Sequence, residues 1–322
     1  MKIGSVELEL GLCLAPMAGY TDRAMRAVAR AFGCEYAVSE MISAKAVVFG
    51  DKKTHKLAEI SDCEGPVALQ IFGSDPYVMG EAAGLLSPGE PGFSLPVAID
   101  IHMGCPVHKI YSNGEGSALM RSPELIEKIV DAVRKSTHLP VTAKIRLGID
   151  EGHINAVECA LAAEAGGASA ICVHGRTRTQ MYSGKCSYEK IAEVVNATGI
   201  PVIANGDITD ADRAISVMRD TGAHAVAIGR GAVGNPFVFS EIRAKMKGEE
   251  YLPPSLDMRV KIAISQLRLA VEAHGEEIAV REARKQIALY LSGFPGAASV
   301  RATINRATKL AEAEAALLAL LD

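Results

Sequence analysis

The stretch AVAIGRGAVG, residues 225–234, admits two readings that lead to different folds. Gly229, Gly231 and Gly234 satisfy the G-x-G-x-x-G pattern after an apolar strand, as in a dinucleotide site of an open Rossmann sheet. That reading needs a further strand and an acidic residue about 20 positions on. Downstream lies KGEEYLPPS (247–255) instead, and no strand pattern returns after it. The same glycines suit the last strand of a closed barrel, where backbone N–H groups can face a phosphate. NGD at 205–207 ends the preceding strand pattern and supplies a companion turn.

Working back from this stretch, seven more apolar runs alternate with helical patterns: LCLAPM (12–17), YAVSEM (36–41), VALQIFG (67–73), AIDIHMG (98–104), VTAKIRLG (141–148), AICVHGR (170–176) and PVIANGD (201–207). Helical segments such as SPELIEKIVDAVRKS (122–136) open on Ser or Asp caps, and several close at Gly. Near-continuous apolar strands separated by amphipathic helices imply parallel strands covered outside by helices. Eight such units in about 235 residues have the size of a (β/α)8 TIM barrel. The expected division is a barrel over residues 1–250, followed by a small helical bundle over 251–322. Its helical stretches are 257–275, 277–294 and 299–321. SPGEPGF (87–93) reads as a loop without chemistry.

Composition excludes several classes. A hydrophobic content of 49% with 22% charged residues is that of a globular protein. No apolar run approaches the roughly 18 residues of a membrane span. Glu7 and Glu9 interrupt the N-terminal segment where a secretory signal needs an apolar core, so a cytoplasmic location is expected. Seven scattered cysteines without a C-x-x-C pair read as reduced thiols. Between Arg259 and Lys309 nine Lys and Arg face four Glu, a net of +5 in a chain of net −4, which leaves −9 for the rest. A basic end on an acidic body points to a polyanion that touches one end only.

In a parallel barrel the C-terminal ends of the strands converge on one mouth. Those ends supply Met17, Glu40, Gln70, Cys105, Lys144, Arg146, His174, Arg176, Asn205, Asp207 and Arg230, a set able to hold a polar, anionic cofactor. Gly206, Gly229 and Gly231 allow close backbone approach to an oxyanion, and Arg230 adds a charge-assisted bond. Cys105 comes after its strand, between Gly104 and Pro106, so it is expected to face a cavity or solvent. His102, Cys105 and His108 form an H-x-x-C-x-x-H pattern, but strand alternation separates the first two and no fourth ligand is evident. No metal is therefore expected, and His108 reads as a solvated turn residue. A hydrolase reading has no nucleophile elbow behind it.

APMAGYTD (15–22), SEMISAKA (39–46), QIFGSDP (70–76), MGCPVHK (103–109), AKIRLG (143–148), VHGRTR (173–178), IANGDI (203–208), IGRGAVGNPF (228–237) and LSGFPGA (291–297) together resemble the tRNA-dihydrouridine synthase family. The resemblance runs over nearly the whole chain. It implies an FMN enzyme that reduces specific tRNA uridines to 5,6-dihydrouridine, with NADPH as electron donor. Pro16, Met17 and Ala18 would line the flavin; Gln70, Lys144 and His174 would bond its ring edge and ribityl chain. Asn205, Gly206, Asp207, Gly229 and Arg230 would hold the phosphate end. Flavin N5 would give hydride to uracil C6, and Cys105 would give the proton to C5. Arg146 and Arg176 are candidates for uracil carbonyls or RNA phosphates, and Arg281, Arg284 and Lys285 for tRNA contacts from the helical tail. The family usually has Asn where this chain has His102, which leaves the role of His102 toward flavin and uracil open. The chain is expected to act as a monomer. Two other readings are an FMN barrel reducing a small molecule and a non-catalytic RNA-binding relative.

Overall fold

A computed structural model describes residues 1–321. Eight parallel strands close on themselves: β1 (Leu12–Leu14), β2 (Tyr36–Ser43), β3 (Val67–Phe72), β4 (Ala98–His102), β5 (Val141–Ile145), β6 (Ala170–His174), β7 (Val202–Asn205) and β8 (Ala225–Ile228). Each falls within or overlaps a run expected from the sequence. Closure is made by β8, which pairs with β1 in the register Val226 to Leu12 and Ile228 to Leu14.

The strands are buried on both sides, which explains their unbroken apolar runs. Outward residues such as Leu69, Ile99, Ile145 and Val173 pack under the helical shell. Inward residues at the N-terminal end are small: Ala68, Ala98, Ala170 and Ala225. Ile3 and Leu8, from a short antiparallel hairpin of Lys2–Ile3 with Val6–Glu7, join this interior cluster and plug that end. The opposite, C-terminal end is left for chemistry.

A buried ion pair braces the first barrel helix. Arg26 Nε donates to Glu64 Oε2 (2.5 Å) and Nη1 to the Thr21 carbonyl (2.8 Å). Glu64 Oε1 accepts from the Ser61 N–H (2.5 Å), so both charges are compensated where water is absent.

Beyond Tyr251 the chain is helical: Leu256–His274, Glu276–Ile287, Ala297–Ile304 and Leu310–Leu318. The expected third helix over 299–321 is broken in two. Glu312 Oε2 accepts from the Thr308 N–H (2.8 Å) and the Lys309 N–H (3.3 Å), which starts a new helix there. Val260, Leu267, Val280, Ile287, Ile304 and Leu317 form a separate apolar cluster, which Phe237 and Phe32 connect to the barrel at a ring separation of 4.7 Å. Among the described residues no helix is long and apolar enough to cross a membrane.

Candidate active site

Strand alternation fixes which side chains enter the barrel. Counting up from the interior alanines, Gln70, Asp100, His102, Thr142, Lys144, His174 and Asn205 all point inward near the C-terminal mouth. Asp100 accepts from Gln70 Nε2 (2.7 Å) and Thr142 Oγ1 (2.5 Å), which orients the Gln70 amide. Burial raises the Asp100 pKa, opposed by these bonds and by Lys144. Lys144 Nζ donates to Asn205 Oδ1 (3.2 Å), and Asn205 Nδ2 donates to the Ala227 carbonyl (2.7 Å). Burial lowers the Lys144 pKa; the ammonium has an amide, not a carboxylate, as its hydrogen-bond partner.

Two histidines sit among these cations and stay neutral. Burial, then Lys144 and Arg146, depress the His102 pKa to about 3. The same cause, with Lys144, Arg146, Arg176 and Arg230 adding to it, drives His174 far below the ordinary range. His102 Nδ1 is buried without a hydrogen-bond partner. An orphaned ring nitrogen beside a buried Lys144 Nζ, whose hydrogen-bond partner is an amide and whose opposing carboxyl is Asp100, is an arrangement that a further polar group would satisfy.

The glycine turns close the other side. A Cβ on Gly206 would lie 2.2 Å from Cys186 Sγ and 2.9 Å from His174 Cδ2, and its φ is +122°. A Cβ on Gly229 would lie 3.5 Å from Met17 Sδ, so the ends of β8 and β1 meet. Pro16 and Lys144 border one cavity inside the barrel, while Ala18 is exposed at the rim. Asp207 pairs with Arg176 (2.8 Å) and Arg230 (3.4 Å). Burial pushes its pKa up, but Arg176 and the Cys186 N–H outweigh this and hold the carboxyl below its ordinary value.

Cys105 departs from expectation. The residue is 4% exposed, so it does not face solvent. The segment after it folds back over the turn: Ser117 Oγ donates to the Cys105 carbonyl (2.7 Å), and a Cβ on Gly116 would lie 2.7 Å from Cys105 Cβ. Burial raises the thiol pKa; hydrogen bonding from Val107 and the charges of Arg146 and Lys144 oppose the rise. The group is therefore a thiol at neutral pH.

Arg146 and Arg176, the candidates for uracil carbonyls or RNA phosphates, are both held by backbone carbonyls. Arg146 Nε donates to the Gly104 carbonyl (2.9 Å), and Nη1 to those of Thr177 (2.9 Å) and Met181 (3.0 Å). It ties the Cys105 turn to the loop after β6. Arg176, 2% exposed, donates to the carbonyls of Ser183 and Gly184 and to Asp207, inside that loop. In the tail, Arg284 Nη2 bonds the Ala307 carbonyl (2.6 Å) and Arg281 pairs with Glu277 (3.0 Å). Lys285 lies over the Tyr20 ring (4.9 Å), at the rim beside Gly19. The three do not present one free basic face. His108 is exposed while His102 points inward, and among the described residues no three His, Cys, Asp or Glu converge as metal ligands.

Sequence reasoning missed Asp100, although a carboxylate at an inward position of AIDIH was the available signal. It missed the aromatic and basic residues of the loop after β6 as well.

A closed barrel with buried amide, imidazole and ammonium groups at its C-terminal mouth is the build of a (β/α)8 barrel enzyme. Morphinone reductase shares the fold at a TM-score of 0.53 and 14% identity, covering 80% of this chain and 91% of that one. TcOYE with pHBA does so at 0.54 and 11%, covering 80% and 94%. The chain belongs to the dihydrouridine synthase (Dus) family, whose model matches residues 13–322. tRNA-dihydrouridine synthase B of Pseudomonas aeruginosa is 41% identical over 311 residues, 95% of this chain and 91% of the relative. Its namesake in Xanthomonas axonopodis pv. citri is 40% identical over 309 residues, again 95% and 91%.

Proposed function

We propose that this chain is an FMN- and NADPH-dependent tRNA-dihydrouridine synthase. Family membership supports the reaction class, and the names of the relatives support tRNA as substrate. The observation that carries the cofactor assignment is the buried Lys144 ammonium, bonded only to an amide, beside the unpartnered Nδ1 of His102. In this reading Gln70, Lys144 and His174 hold the flavin ring edge and ribityl chain, with Pro16, Met17 and Ala18 beside the ring. Asn205, Gly206, Gly229 and Arg230 hold the phosphate end, with the Asp207 carboxylate positioning Arg230. When bound there and reduced by NADPH, FMN would supply the hydride for C6 of the uracil.

The chain's own groups do the rest. Lys144, in its protonated form, would stabilise the negative charge that reduced flavin carries. Neutral His102 and His174 can donate or accept hydrogen bonds without adding charge. Cys105, kept protonated by burial, gives its proton to C5; general acid catalysis of this kind contributes about 10²–10⁴-fold. For that step the Tyr111–Met120 segment moves off the thiol when RNA arrives, as loops over reactive groups do. The barrel over 1–250 carries the chemistry and the helices over 251–322 dock tRNA. The protein works as a cytoplasmic monomer.

The test is conversion of uridine in unmodified tRNA, read by mass spectrometry, with FMN and NADPH supplied. A gain of two mass units at a uridine is the expected result. Oxidation of NADPH without any change in tRNA would instead favour a small-molecule reductase.

A further inference from the structure

The loop after β6, Thr177–Ser187, exposes two large side chains on an anchored backbone. Met181 is 45% exposed and Tyr182 is 56% exposed. Met181 is held at a φ of +49°, a region a non-glycine residue rarely adopts. The backbone beneath them is pinned from inside: Arg146 bonds the Thr177 and Met181 carbonyls, and Arg176 bonds those of Ser183 and Gly184. Because the same Arg146 also bonds the Gly104 carbonyl, Met181 stands one guanidinium away from the Cys105 turn.

The two loop segments at this rim carry only positive charge of their own, while Asp207, which accepts from the Cys186 N–H of the first, pairs with Arg176 and Arg230. The loop contains Arg178 and Lys185 and no acidic residue, and Cys105–Asn113 contains Lys109 and none either. Arg230 lies over the Tyr182 ring (4.9 Å), and Arg178 and Arg121 lie over the Tyr111 ring (3.6 and 4.9 Å). Tyr111 is half-buried and Tyr182 exposed; an exposed aromatic ring backed by a guanidinium is what single-stranded nucleic acid recognition uses, because every nucleotide has a base face to stack and a phosphate to neutralise.

We propose that Tyr182 is a stacking platform for a tRNA base next to the reduced uridine, with Arg178 and Lys185 facing the RNA backbone. This rests on tRNA being the substrate. It adds a contact at the barrel mouth to the docking of tRNA by the tail helices.

The experiment compares tRNA binding by full-length, flavin-bound wild type, Tyr182→Ala and Tyr182→Phe, using unmodified tRNA. NADPH-driven flavin reduction is followed in parallel. Loss of one base–aromatic stack corresponds to roughly 5- to 150-fold weaker binding. The expected result is that loss in Tyr182→Ala, near-wild-type binding in Tyr182→Phe, and unchanged flavin reduction by NADPH in both. Equal tRNA affinity in Tyr182→Ala and wild type would overturn the proposal. So would slowed flavin reduction with tRNA binding intact, which would give the ring to the nicotinamide nucleotide instead. Absence of tRNA binding by wild type itself would remove the substrate reading along with the platform.

Discussion

Replacing His102 by Asn should make the protein more resistant to acid. In the native state burial, Lys144 and Arg146 hold the His102 pKa near about 3. In the unfolded chain the imidazole returns to its ordinary value of about 6.5. Below that pH the unfolded chain takes up a proton that the native state refuses. Stability therefore falls as pH drops from about 7 toward 3, and is recovered as pH rises. At pH 5 the penalty is RT ln(1 + 10^1.5), about 2 kcal/mol, and some residual solvent contact at the mouth trims it to between about 1 and 2. Asn carries no titrating group, so His102→Asn escapes this loss. Urea denaturation of the flavin-free proteins at pH 8 and pH 5 reads the difference directly. Carboxylate titration is common to both and cancels. An acid loss in His102→Asn as large as in wild type would refute the neutral, cation-flanked imidazole.

Cys105→Ala should keep bound flavin and its reduction by NADPH yet lose roughly 10²–10⁴-fold in dihydrouridine formation, measured by single-turnover mass spectrometry. With its pKa raised by burial, the Cys105 thiol should react with iodoacetamide more slowly at pH 7.5 than exposed Cys63, and faster once RNA is bound. Peptide mapping after alkylation checks the order. Gly206→Ala should lower stability by about 1–3 kcal/mol and weaken FMN binding, since its Cβ would collide with Cys186 and His174. Thermal melts with flavin titration test both effects. Glu64→Ala should cost about 3–5 kcal/mol, because it leaves the Arg26 guanidinium buried without a counter-charge. A loss below about 1 kcal/mol on urea titration would argue against that burial.

The strands and their closure were legible because a strand buried on both faces cannot hide its apolar run, and eight such runs with covering helices leave few architectures. Lys144 and Asn205 read as polar strand ends for a related reason, since alternation in a barrel decides direction once the strand is known, whereas the role of His102 stayed open. The fates of Arg146 and Arg176 were not legible. Both look like free cations at strand ends, but the loop after β6 comes back over them and takes their hydrogen bonds with its carbonyls. Cys105 failed similarly, since its exposure depends on where Gly116 and Ser117 fold, twelve residues after the thiol in the case of Ser117. Local pattern reads direction along an element; it does not read which distant loop arrives there.

The register that joins Val226 to Leu12 has a cost during synthesis. At 5–20 residues per second, the free edge of the first strand waits roughly 10–40 s on the ribosome for its partner. Through that interval a nascent chain carries an unpaired apolar edge beside its neighbours, open to pairing with another polypeptide. A chaperone able to shield the edge should therefore raise the soluble yield, and chains truncated before residue 225 should aggregate where the complete one does not.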